Sequence, residues 1–344
     1  MALVILTLAA FWLDPMPKLR HVHTIRGDIS PKSVVYAGNG LFLAQNMMYR
    51  HTITVYDRQH RLLATIPDGT VIGGQLVRGS PVEAAISPDG RYAWVSNYEM
   101  TGPGFSNPGN DRTQSRRGVF DRSYVYRVDL AAMKIDGRVL VGSVPKFVAV
   151  TPDGQTVLVS NWVSSDLSVV DAISLREVRS VYLGRFPRGI AVAPDGSVAY
   201  VALVGAVQIA VVSLSDFRVE WISNVGVSPR HLCLSADGRW LYASLNGAGQ
   251  VVKIDTHTRK VVGRTAVGAE PRSMVLTPDG QRLYVVTYVG AKFCQIRTQN
   301  MEVTQVIATP KNPIGITYDP EERRVWVACY SGSIQVYGEE SGQE

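Results

Sequence analysis

Seven prolines recur along the chain, at Pro31, Pro81, Pro145, Pro187, Pro229, Pro271 and Pro313, and the residue after each is the first place to look for chemistry. Those residues are Lys32, Val82, Lys146, Arg188, Arg230, Arg272 and Ile314, so five of the seven are cations. The next position adds Glu83, Phe147 and His231. Residues at one position of a repeat converge when the repeats close into a ring. Two unit charges roughly 8 Å apart repel by about 0.5 kcal/mol in water. Five of them together favour a bound anion. The competing role is structural, each Lys or Arg pairing with an acid or carbonyl of the neighbouring unit.

A second set of polar and aromatic residues falls where a loop on the same face would begin. It comprises Asn46, Asn97 and Tyr98, Asn161 and Trp162, Tyr288, and Tyr330. Amides and aromatic rings around a basic mouth suit a carboxylate-bearing or sugar-like ligand. The plainer role for the asparagines is to end strands through local hydrogen bonds, and the aromatics pack equally well between units. For catalysis the best combination is Glu83 with His231, a general acid/base pair if the fold brings them within hydrogen-bond reach. The six histidines form no metal motif. His21 and His23 alternate on one strand, which would put both on one face, but a metal needs further ligands. No haem-attachment motif and no nucleophile elbow occur, so no cofactor is expected. Cys233, Cys294 and Cys329 sit in apolar strand-like runs and read as core residues, not as a disulfide framework.

The elements that must position these residues are plain. Ser87-Pro-Asp-Gly-Arg-Tyr-Ala-Trp-Val-Ser-Asn97 recurs as Thr151-Pro-Asp-Gly-Gln-Thr-Val-Leu-Val-Ser-Asn161. Ala193-Pro-Asp-Gly, Ser235-Ala-Asp-Gly and Thr277-Pro-Asp-Gly follow, with a decayed copy at Asp319-Pro-Glu-Glu and a first copy at Gly38-Asn39-Gly40. The landmark prolines are spaced 50, 64, 42, 42, 42 and 42 residues apart. Pro-Asp-Gly is a tight turn: proline presets φ, aspartate caps, and glycine accepts positive φ. The repeated aspartates therefore belong to the turns and are not catalytic acids. Each unit reads as four short strands, which is the pattern of a β-propeller blade. The fold class is all-β, a seven-bladed propeller over residues 18–338. An apolar segment precedes it at 1–17 and a polar tail follows at 339–344. Only two strands follow the last turn, so the N-terminal strand around residues 21–25 closes the final blade and covers otherwise open sheet edges.

These repeats resemble the YVTN-type propellers, in particular the YncE-like proteins of bacteria. The hallmark appears here as Gly184-Arg-Phe-Pro-Arg188 with Tyr200-Val201, and as Gly268-Ala-Glu-Pro-Arg272 with Tyr284-Val285. The resemblance covers residues 20–338. It implies the fold strongly and a function weakly, because such propellers serve as binding proteins, surface proteins, and scaffolds of periplasmic redox enzymes and lactonases. Function has to be argued from the site.

Two insertions break the repeat. Residues 99–120 account for the 64-residue spacing and project from the face that carries the basic ring; a loop of this length reads as a lid or recognition element. A smaller insertion, 68–79, lies beside it. The composition of 46% hydrophobic and 19% charged residues supports a large core. A net charge of +6 is modest and matters only where it concentrates. The apolar run at 3–13 is too short to span a bilayer and reads as an export signal or anchor. The expected protein is therefore a monomeric, extracytoplasmic propeller, its only membrane contact the N-terminal segment, binding a small anion or a protein partner at the loop face. A hydrolase or lyase using the same funnel is the alternative. Nucleic-acid binding ranks last, since there is no basic tail.

Overall fold

A computed structural model describes residues 16–47 and 49–340. The apolar run at 3–13 and most of the tail lie outside those residues. Seven antiparallel sheets follow one another around a central channel. Blade I holds the strands Pro31–Gly38, Leu41–Asn46, Thr52–Tyr56 and Leu62–Pro67. Blades III to VI repeat this order from Pro145, Pro187, Pro229 and Pro271. Outside blade II, each innermost strand starts at its landmark proline on one face and runs to the Pro-Asp-Gly turn, or its diverged equivalent, on the other.

Blade II keeps the four expected strands and adds a fifth. Its inner strand is lengthened to Gln75–Ile86 and its second strand to Tyr92–Thr101. The smaller insertion becomes a short hairpin, with Gly69–Ile72 pairing against residues 75–78, so the sheet has five strands. The extra length rises above the proline face.

Closure follows the sequence expectation. Leu19–Ile25 pairs antiparallel with Ser333–Glu339 and completes blade VII. Leu19 and Ile25 are buried in two different core clusters, one on each side of that blade. Full burial of such side chains contributes about 2–3 kcal/mol each. The register shifts between His21 and His23, which face the consecutive residues Tyr337 and Val336. This bulge turns the two histidines to opposite faces, against the expectation that they share one. His21 meets the Tyr337 ring edge-on, whereas His23 stacks on His60 at 4.3 Å.

The core lies between blades rather than within one. Strands two and three of adjacent blades interdigitate, as where Ile209 and Val211 of blade IV meet Leu241 and Ala243 of blade V. Phe42 of blade I stacks on Trp326 of blade VII at 3.8 Å. Cys294 and Cys329 are buried and Cys233 nearly so, all three as free thiols.

Candidate functional site

The ring begins with a backbone device. In five blades the residue before the landmark proline is non-glycine yet left-handed: Val144, Phe186, Ser228, Glu270 and Asn312, with φ between 51° and 60°. Proline disfavours the right-handed helical conformation in the residue before it. The left-handed turn costs roughly 1–2 kcal/mol. It is offset because each of these carbonyls accepts a hydrogen bond from the N–H that follows the second strand. The donors are Trp162, Val204, Asn246, Tyr288 and Tyr330, at 2.9–3.0 Å. In blades III to VI the tie fixes where the following cation sits; Trp162 and Tyr288 lie beside the cation of their own blade, while in blade VII, where Ile314 follows, Tyr330 lies beside Lys32 of blade I.

Lys32, Lys146, Arg188, Arg230 and Arg272 all line one cavity of about 160 Å³, together with Trp162 and Asp111. At about 30 Å³ per water molecule, that is room for roughly five waters or one compact ligand. Val82 and Ile314, the two apolar members of the ring, are fully packed in the core.

The five cations are held in different ways. Lys146 donates to the Asp111 carboxylate at 2.5 Å and lies 3.9 Å from the Tyr98 ring centre and 5.6 Å from that of Trp162. Arg272 donates to Glu270 at 2.6 Å and stacks over Tyr288 at 4.3 Å. Arg188 donates through Nη1 to the Lys146 carbonyl of the neighbouring blade at 2.7 Å. Lys32 lies over Tyr330 at 5.3 Å. Among the described residues, neither Lys32 nor Arg230 has an acid in ion-pair range or a side-chain hydrogen bond to the protein. Asp111 and Glu270 act on Arg230 only from a distance.

Electrostatics record the crowding. Burial, and then the other four cations, hold the Lys32 ammonium well below its ordinary pKa. Burial lowers Lys146 to about 7, with Asp111 pulling back and Arg188 and Arg230 pushing down. Burial followed by Arg188 and Arg272 lowers Arg230 strongly, though a guanidinium stays charged. Among the described residues the five basic groups face Asp111, Glu270 and, one layer deeper, Glu83, so with every group ionised the positive charges exceed the negative ones by two.

Below the ring the inner strands converge. A Cβ on Gly189 would sit 2.7 Å from the Arg230 carbonyl oxygen, and one on Gly315 would sit 2.6 Å from the Ser33 Cα, so only glycine fits there. The Phe147 and His231 rings meet edge-to-face at 5.2 Å across this layer. His231 is pushed down to about 3 by burial and then by Arg188 and Arg230, which keeps it neutral. Burial lifts Glu83 to about 7, opposed by Arg188, a Ser33 hydrogen bond, Lys32 and Arg230. Among the described residues no hydrogen bond joins Glu83 to His231. His231 Nδ1 instead faces the Met274 N–H at 3.4 Å.

Asn46, Asn97 and Asn161 do not reach the cavity. All three are fully buried within their blades. Asn46 accepts from the Ser30 N–H and donates to Thr54. Asn97 donates to the Tyr124 carbonyl, and Asn161 to Asp166 and Ser168. These are the local roles that strand-ending amides fill. Tyr98, Tyr288 and Tyr330 stand around the ring as cation-facing aromatics, while Trp162 lines the cavity itself. Asp111, which the repeat pattern does not single out, arrives from the long blade II insertion.

That insertion is docked, not free. The Trp162 indole N–H donates to the Asp111 carbonyl at 3.1 Å, and the Ser115 N–H donates to Val163. Gly109 packs on Val163 and Val144 with no room for a Cβ. Arg117 and Arg122 both grip Glu177 of blade III.

Such a fold and ring define a seven-bladed propeller with a basic mouth. No protein-family model matches the chain, and no curated protein matches it. Among solved structures the chain is similar to hydrazine synthase of Kuenenia stuttgartiensis, with a TM-score of 0.73 and 18% identity over 93% of this chain and 98% of that one. At that identity the likeness concerns the fold alone.

Proposed function

We propose that this chain is a YVTN-type, YncE-like propeller that acts as a binding scaffold and captures a small anionic ligand in its funnel. One observation carries the reading: five cations converge on a single cavity, and among the described residues two of them, Lys32 and Arg230, have no acid beside them. A desolvated, unpaired cation costs several kcal/mol, and an oxyanion seated among three guanidiniums and two ammoniums offsets that cost through short, charge-assisted hydrogen bonds. Aromatic rings lie beside Lys146, Arg272 and Lys32, adding cation–π attraction that holds these side chains at the ring.

Calorimetric titration with succinate and with inorganic phosphate tests this. Binding should weaken as salt is raised, and Arg230→Gln should lower the affinity at least about tenfold, since a buried charged contact is worth about 1.5–3 kcal/mol. Equal binding by wild type and Arg230→Gln would sink the reading.

A further inference from the structure

Asp111 is out of keeping with the rest of the ring. Among the described residues it is the one acid lining the cavity, and it comes from an insertion, not from the repeat. Its side chain is 64% exposed, yet its partner Lys146 is only 7% exposed. The loop's own fold does not require that carboxylate. The segment is held by the Asp111 carbonyl on Trp162, by Ser115 on Val163, by Gln114 on Ser165, and by Arg117 and Arg122 on Glu177. Among the described residues the only hydrogen bond or ion pair of the carboxylate itself is to Lys146. Burial pushes the Asp111 carboxyl up, but Lys146, with Lys32 and Arg188 behind it, outweighs this and holds it ionised below its ordinary range.

We propose that Asp111 is a built-in stand-in for the ligand's own oxyanion, occupying the Lys146 corner of the ring so that only a compact anion with two or more charges displaces it. This rests on the anion-binding reading above and narrows it to a ligand class. A monoanion entering the funnel gains Arg230 and Lys32 but finds Lys146 already satisfied. A dianion or trianion, carboxylate or phosphate, reaches across the cavity and replaces the Asp111 contact with its second charge. Asp111 is the accessible half of the pair, its side chain 64% exposed against 7% for Lys146, so the acid can turn into solvent as a ligand charge takes its place. The exchange leaves Asp111 in solvent and keeps buried Lys146 paired throughout. The insertion thereby sets a charge threshold for entry.

The test compares wild type with Asp111→Asn, a near-isosteric change at an exposed side chain, using acetate, succinate, citrate, inorganic phosphate and pyrophosphate as probes in calorimetry. Far-UV circular dichroism and melting verify that the variant is folded. Wild type should discriminate by charge, with citrate and pyrophosphate tightest and acetate barely bound. Asp111→Asn should bind acetate about fivefold tighter, the equivalent of about 1 kcal/mol, with a smaller gain for citrate, so that the ranking compresses. If wild type binds the multivalent anions but Asp111→Asn binds them equally or more weakly, Asp111 is not a competitor and this inference falls while the anion-binding reading stands. If neither protein binds any of the five probes, both fall.

Discussion

Blade V and blade II stand in the same ring and bring it opposite charge. Blade V is a plain 42-residue repeat that supplies Arg230 and no acid to neutralise it. Blade II places buried Val82 where its cation would be. It brings the ring two acids instead, Glu83 below it and Asp111 over it, and holds a third, Asp68, inside its own framework. Copying a repeat multiplies whatever charge the repeat carries. Insertions are where a propeller can answer that charge at one point without altering the other blades.

The comparison sharpens on how each acid is supported. Asp166 of blade III is nearly as buried as Asp68. It has Asn161 Nδ2 at 2.7 Å, Ser180 at 2.9 Å, Ser164 at 3.1 Å and Arg117 at 3.5 Å. Neither carboxyl oxygen of Asp68 has a partner among the described residues, and Asn97 Oδ1 and the Tyr126 hydroxyl nearby are in the same state. A Cβ on Gly79 would lie 2.2 Å from Asn97 Oδ1 and 2.8 Å from Asp68 Oδ2, so the two oxygens converge on one spot. Burial with no cation alongside pushes Asp68 well above its ordinary pKa.

The largest effect is therefore expected from Asp68→Asn. Native Asp68 keeps a proton that the unfolded chain releases above about pH 3.9. Stability accordingly falls as pH rises from there toward the raised pKa. The amide removes this dependence and supplies an N–H toward Asn97 Oδ1 or the Tyr126 oxygen. The variant should melt higher than wild type at pH 8, with the gap closing toward pH 4. Equal melting at pH 8 would mean that blade II neutralises this acid by other means.

Glu83→Gln comes next. Its carboxyl is lifted to about 7, so the same sign applies over a window from about pH 4.3 to 7. Removing the penalty is worth roughly 3 kcal/mol at pH 8, read by urea unfolding. No gain would show that the ring cations already compensate Glu83 in full.

A third experiment reads the ring itself. As pH climbs through about 7, Glu83 gains a negative charge and Lys146 loses its positive one. Succinate affinity should fall several-fold between pH 6 and 8, and less steeply in Glu83→Gln. A flat wild-type profile would separate blade II's acid from the function of the ring.

The smallest effect belongs to Arg117→Gln, which cuts the insertion's grip on Glu177 and Asp166. A partly exposed contact of this kind is worth about 1 kcal/mol. Faster proteolytic nicking within 102–123, with the blades left intact, is the expected readout. Unchanged cleavage would assign the loop's order to the Asp111, Gln114, Ser115 and Arg122 contacts.

The regular part of the molecule could be read before the structure because it is periodic. Landmark prolines and Pro-Asp-Gly turns locate every blade, and the residue after each proline locates Lys32, Lys146, Arg188, Arg230 and Arg272 in one cavity. What was not legible is aperiodic. Asp111 sits in an insertion with no second copy to align it with, so only the fold reveals that it drops onto Lys146. The fifth strand of blade II comes from a hairpin whose partner, at 100–101, belongs to the other insertion. Asn46, Asn97 and Asn161 share a repeat position, but alternation along a strand does not say whether its last residue turns to the mouth or to the next blade. The bulge that parts His21 from His23 depends on Tyr337 and Val336, more than 300 residues away in sequence.

Strand Leu19–Ile25 enters from the Pro-Asp-Gly face, and the Glu340 N–H hydrogen-bonds back to the Lys18 carbonyl there at 2.8 Å. Both described ends of the chain thus leave together on the side away from the funnel. An affinity handle or a sensor chip attached directly beside residue 17 or residue 340 would leave the mouth pointing into free solution. The molecule can be immobilised without blocking the site that the immobilisation is meant to interrogate.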